Sequence, residues 1–255
     1  MERSVRWEHK TMMLEMCIDS VESAIASEDG GAERVEFCAN LLEGGTTPSL
    51  GVIRETKRRT NIALSVMVRP RGGDFCHTDE EFAVMREDVK IFREEGADCI
   101  VFGLLRPDGM VDLERTQGLI ELARPAKVTF HRAFDMTRDP FEALEALVEL
   151  GAERILTSGQ EPSVIEGADL IRELVVRADD RIIVMPGGGV RLGNIERVVE
   201  LTGAREIHVA VPTAQASEMQ FRNTNVFMGG ELRSEEYARF VTSVESVRQL
   251  AQKLA

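Results

Sequence analysis

A closed parallel (β/α)8 barrel of the TIM type, an α/β fold in a single domain, is the architecture this sequence predicts. Three observations point to it. Eight short β-rich runs alternate with eight longer runs of helical period, with no break between them. No Gly-x-Gly-x-x-Gly turn follows the first run, which argues against an open dinucleotide-binding sheet. Within the runs, apolar residues alternate with reactive ones, as expected of strands with one face under helices and the other on a barrel axis.

The first strand, MLEMC (13–17), sets Leu14 and Met16 against Glu15 and Cys17, and a helical run follows over 20–30. The second, RVEFCA (34–39), sets Val35 and Phe37 against Glu36 and Cys38, and its helix is LGVIRETKRR (50–59). The third, IALSVMVR (62–69), opposes Leu64, Val66 and Val68 to Ser65, Met67 and Arg69, before a helix over 80–95. The fourth, DCIVFGLL (98–105), precedes a helix over 113–123. The fifth, KVTFHRA (127–133), opposes Val128 and Phe130 to Thr129 and His131, and PFEALEALVEL (140–150) follows. RILTSG (154–159) and RIIVMPG (181–187) are the sixth and seventh, with helices over 163–178 and 193–203. The eighth, REIHVAV (205–211), opposes Ile207 and Val209 to His208 and Ala210, and the run 234–255 reads as one closing helix. Gly31, Gly96, Gly151 and Gly203 stand where helices stop before strands, as left-handed C-caps. The division is a lead-in over 1–12 and a barrel over 13–255.

Composition narrows the function classes. The chain has 255 residues, 43% hydrophobic and 29% charged, which is ample for a large core. Its net charge of −13 repels phosphate backbones, so nucleic acid is not an expected partner. No apolar run reaches the roughly 20 residues that span a bilayer, and the first residues carry no secretory leader, which reads as a cytoplasmic protein. The four cysteines include no Cys-x-x-Cys pair, so thiols are expected rather than disulfides or a structural zinc site. No lysine ends a strand, since Lys127 begins one; a Schiff-base aldolase is therefore excluded.

The inward parity and the loops that rim it gather Glu15, Glu36, Arg69, Arg71, His131, Arg132, Asp135, Ser158 and His208 at the C-terminal mouth, where barrels build their sites. Glu15, Glu36, His131 and Asp135 are candidate acid/base groups of an enzyme, or ligands of a hard divalent ion. Arg69, Arg71 and Arg132 are candidate grips for a small anionic or phosphorylated metabolite. Gly187, Gly188 and Gly189 of MPGGGV offer backbone N–H groups to the same anion. The competing reading is a buried ion network that satisfies itself. Cys17 and Cys38 end the first two strands on the same face, and a pair of soft thiolates suits Cu(I). The alternative for each is a small apolar filler. Cys99 and Cys76 read as structural or incidental, although His77 beside Cys76 makes a weak metal candidate.

The stretches LEMCIDSVESAIASEDGGAERVEFCANLLEGGTTPSLG, VMVRPRGGDF, VTFHRAFDMTRDP, ILTSGQ, MPGGGVR and FRNTNVFMGG (221–230) resemble the CutC copper homeostasis protein family. The resemblance implies a (β/α)8-type barrel, a cytoplasmic location, a homo-oligomer (dimer or tetramer) and a role in copper tolerance or trafficking. It also implies Cu(I) binding centred on the first two strands, at the positions that Cys17 and Cys38 fill here. The lead-in over 1–12 is the main departure from the family pattern.

Overall fold

The computed structural model describes residues 12–223, 225–226 and 238–254. The lead-in apart from Met12, residues 224 and 227–230 of the 221–230 motif, and residues 231–237 and 255, which include both ends of the expected closing helix, lie outside the described residues.

Eight parallel strands form the barrel: β1 Met13–Ile18, β2 Arg34–Phe37, β3 Ala63–Met67, β4 Cys99–Phe102, β5 Lys127–Phe130, β6 Arg154–Thr157, β7 Ile183–Pro186 and β8 Glu206–Val209. They pair in sequence order from β1 to β7, and β8 pairs with β1. A single parallel bridge between Gly187 and His208 joins β7 to β8 and nearly closes the ring. That contact needs glycine: a Cβ on Gly187 would meet Leu156 Cδ1 at 2.5 Å and His208 Cβ at 3.1 Å.

The helices lie between the strands as α1 Val21–Gly30, α2 Leu50–Arg59, α3 Asp79–Glu94, α4 Leu113–Ala123, α5 Pro140–Leu150, α6 Ala168–Ala178 and α7 Ile195–Thr202. Side chains fix where they begin. Ser20, Ser49, Asp112 and Asp139 accept first-turn N–H groups, and Thr78 with Glu81 forms a capping box on α3. Left-handed Gly31, Gly151 and Gly203 end α1, α5 and α7, while Gly96 follows Glu95 at the end of α3.

The parity holds along the barrel. Leu14, Met16, Val35, Phe37, Leu64, Val66, Val128, Phe130, Ile207 and Val209 are all buried in the main core cluster with residues of the helices. Each such side chain contributes about 1.5–3 kcal/mol by leaving water, which makes a slip of one residue in any strand prohibitive. The opposite parity then has nowhere to go but the axis.

Two expectations change. The strands are shorter than the β-rich runs, because ladder pairing stops where residues such as Arg69, His131 and Ser158 turn into loops. The run 234–255 is not one helix. Ala238–Thr242 is a strand, β10, antiparallel to β9, Pro212–Ala216, and α8 spans only Val244–Leu254. Phe240, Val241 and Thr242 are aromatic or β-branched and favour the extended form. The Thr242 N–H donates to Ser23 Oγ at 2.9 Å, and Ser243 then opens α8 by accepting from Ser246 N at 3.1 Å.

Candidate metal centre

The register of β1 against β2 decides which groups meet. Glu15 stands opposite Arg34 and Cys17 opposite Glu36, so Cys38 lies one pleat above Cys17. Register with β8 sets Glu15 beside His208. Five reactive side chains from three adjacent strands therefore crowd one part of the axis.

Their contacts form a chain. His208 Nδ1 is 2.8 Å from Glu15 Oε1, and its Nε2 is 3.7 Å from Glu36 Oε2. The same Glu36 oxygen lies 3.5 Å from Cys17 Sγ and 3.4 Å from Cys38 Sγ. One donor atom each from Cys17, Glu36 and Cys38 falls within a 4.8 Å sphere of mutual distances, and so does one each from Glu15, Glu36 and His208. Glu36 Oε1 is buried with no hydrogen-bond partner.

Below this chain lies an ion network that sequence reading missed. Arg34 pairs with Glu15 at 2.5 Å and with Glu206, and Glu206 pairs in turn with Arg154 at 3.0 Å. All are buried. Arg34, Arg154 and Glu206 occupy inward positions at the starts of their strands. The alternation rule that exposed Glu15 and Cys17 could have found them; attention to the C-terminal ends alone passed them over.

The charges follow from the contacts. Burial alone would raise Glu15, but Arg34 and His208 outweigh it and hold the carboxylate ionised far below its ordinary range. Burial disfavours the His208 cation, yet Glu36, Cys17 and Glu15 together raise it well above the usual imidazole value. The Cys38 thiol beside Cys17 lowers Cys17 to about 5, against its burial and with help from His208. Cys38 moves the other way, because it serves Cys17 as a donor and is buried beside Glu36. Glu36, desolvated and facing the Cys17 and Glu15 anions, rises to about 8 despite the attraction of His208. These contacts favour the charged forms of His208 and Glu15, make Cys17 the more acidic of the two thiols, and favour the protonated forms of Glu36 and Cys38.

The other expected site residues fall elsewhere around the rim. His131 is buried, caps the turn after β5 by accepting the Ala133 N–H at Nδ1, and leaves Nε2 unpartnered. No hydrogen bond among the described residues joins it to Glu15 or Glu36. Asp135 accepts from Ser158 N, Gln160 N, Thr157 Oγ1 and Arg132 Nε, so its oxygens are fully occupied within the β5 and β6 loops. Arg132 also donates to Ser158 Oγ at 2.7 Å and packs against Gly188. Arg71 is spent on Glu81, Asp74 and the carbonyls of its own loop. Gly187 closes the barrel, Gly188 O accepts from Val164 N and Gly189 O from Asn194 Nδ2. Arg69 is held by carbonyls of Glu43, Gly45 and Gly73. Cys99 is buried at the start of β4 against Thr129 and Arg154; Cys76 is exposed, and His77 Nδ1 lies 3.4 Å from Glu81. Three surface grooves, between α4 and α5, beside the Gly109 turn and between α1 and α2, are lined by none of the charged mouth residues. Among the described residues no helix is long and apolar enough to cross a membrane.

Both ligand types are represented. Glu15, Glu36 and His208 make a hard set, but Glu15 and His208 already neutralise each other. The two sulfurs, with His208 and Glu36 beside them, make the soft set, the donor type that soft ions favour.

Comparison with known proteins gives a consistent picture. The sequence profile described as the CutC family matches residues 12–213. The chain is 50% identical over 238 residues to the mouse copper homeostasis protein cutC homolog, covering 93% of this chain and 88% of that protein. It is 49% identical to the human homolog over the same length, covering 93% and 87%. The solved CutC protein of Streptococcus agalactiae superposes with a TM-score of 0.74 at 35% identity, covering 77% of this chain and 97% of that one. The N-(5'-phosphoribosyl)anthranilate isomerase of Pyrococcus furiosus, at 14% identity and a TM-score of 0.53 over 95% of this chain and 98% of its own, shares the fold alone.

Proposed function

The chain belongs to the CutC family, and from that premise we propose that it serves copper homeostasis by holding Cu(I) between Cys17 and Cys38. The carrying observation is that both sulfurs lie within 3.5 Å of one Glu36 oxygen, with an unpartnered carboxyl oxygen behind it. Cu(I) is cargo in this reading. Cys17, already a thiolate near neutrality, makes the first bond. The incoming cation takes the place of the proton that Cys38 donates to Cys17 and offsets the cost of burying a second anion, so Cys38 sheds its proton and makes the second. His208 offsets the surplus negative charge. Glu36, as a neutral acid, hydrogen-bonds a sulfur without competing for a soft ion.

The rest of the proposal is a reducing, cytoplasmic setting, in which the four cysteines stay free thiols, and assembly into a homo-oligomer. Native mass spectrometry of protein purified without added metal reads subunit number and retained copper together. The decisive experiment is a Cu(I) competition titration against a colourimetric chelator. The wild type should take one Cu(I) per chain, and the Cys17→Ala/Cys38→Ala double variant should lose it. Unchanged affinity in the double variant would refute the assignment.

A further inference from the structure

A third sulfur stands beside the cysteine pair. Met67 ends β3 on the inward parity and is buried. The β2–β3 register pairs Glu36 with Ser65 and Phe37 with Val66, so the next step sets Cys38 abreast of Met67. Neighbouring strands lie about 4.8 Å apart, and the inward side chains of a ring of strands converge on its axis.

The packing agrees with the register. Cys38, Met67, Cys99 and Val101 form a small buried cluster separate from the main core, and Cys17 packs against it. The same residue covers both sulfur-bearing side chains: a Cβ on Gly45 would lie 3.0 Å from Cys38 Sγ and 3.7 Å from Met67 Cε. Two other methionines reach the axis, but their sulfurs are engaged lower down. Arg34 Nη1 donates to Met13 Sδ at 2.8 Å and Arg34 Nη2 to Met185 Sδ at 3.4 Å. Met67 lies instead among apolar and sulfur-bearing neighbours, away from that guanidinium.

We propose that Met67 is a third ligand of the copper centre, its thioether Sδ joining Cys17 and Cys38 on Cu(I). The proposal rests on the reading of those cysteines as the copper-binding pair. Three adjacent strands then give one sulfur each. A thioether is soft and favours Cu(I) over hard divalent ions. It is also neutral. Two thiolates already outweigh one Cu(I) by a negative charge, and a third buried anion would add a desolvation cost that a thioether does not. Methionine is unbranched, with three rotatable bonds, so Sδ can turn onto an ion held at Cys38 without moving β3. Leucine would fill much the same space but offers no donor.

The test is X-ray absorption at the copper edge, on protein whose methionines are replaced by selenomethionine and which carries one Cu(I) per chain. The copper shell should contain two sulfurs and one selenium. In Met67→Leu the selenium should vanish while both sulfurs remain, and Cu(I) affinity by competition titration should fall about tenfold. Circular dichroism and the thermal midpoint check the fold of that variant, and the spectrum of the unsubstituted chain does not depend on it. A copper shell of sulfur without selenium overturns the role of Met67 and leaves the cysteine pair standing. Selenium that persists in Met67→Leu belongs to another methionine and overturns it too. Protein that takes up no Cu(I) overturns both readings.

Discussion

His208 Nδ1 lies 2.8 Å from Glu15 Oε1, although 193 residues separate them in sequence. The contact exists because the last barrel strand pairs with the first, and it orients the imidazole so that its other nitrogen faces Glu36. Acidity at the sulfurs therefore depends on barrel closure.

The Cys17 thiolate is the first consequence. Its ultraviolet absorbance, followed against pH in a Cys76→Ser background, should disappear on acidification with a midpoint near 5, against an ordinary thiol value of 9.0. Cys38→Ala should move that midpoint upward the most, because the Cys38 thiol is the main cause of the shift, and His208→Gln should move it upward too. A wild-type midpoint near 9 would show that the pair does not share its proton as described.

Glu36 gives stability a pH dependence of opposite sign to most carboxylates. Its native value is raised from 4.5 to about 8, so between those limits the folded state binds more protons than the unfolded one. The contribution is fully present below 4.5 and is lost as pH rises toward 8. In Glu36→Gln this slope should be absent. Urea unfolding of both proteins at several pH values measures it: the variant should gain on the wild type as pH increases. A constant difference would contradict the raised value.

Arg34 is the hinge of the lower ion network. Arg34→Met leaves Glu15 and Glu206 buried, with Glu206 still paired to Arg154. Removing one member of such a group costs about 3–5 kcal/mol, which denaturant unfolding should detect. A loss under about 1 kcal/mol, the range of exposed pairs, would mean that the network is wetter than its burial implies.

Gly45 tests the cover over the sulfurs. It has φ +91°, and a Cβ there would sit 3.0 Å from Cys38 Sγ. Gly45→Ala should therefore cost about 1–2 kcal/mol from the left-handed backbone alone. It should also weaken Cu(I) binding by displacing Cys38, whereas Gly118→Ala, with open space around it, should leave Cu(I) binding unchanged. Equal Cu(I) affinity in the two variants would separate the loop from the metal centre.

The repeat of strand and helix, the caps and the two-residue alternation were all local, and each was legible in the chain. Local patterning set the barrel, and it sent Glu15, Cys17, Glu36, Cys38, Arg69, His131 and His208 away from the helices. It failed at Ala238–Thr242, where pairing with β9 overrides a run that also reads as helix. Tertiary structure decided what met what. The one-pleat offset of Cys38 over Cys17, the sharing of one Glu36 oxygen, and the placing of Met67 abreast of Cys38 all come from register and ring closure. Alternation tells a side chain which face to take; only the pairing of strands distant in sequence fixes its height and its neighbours, and those set its charge.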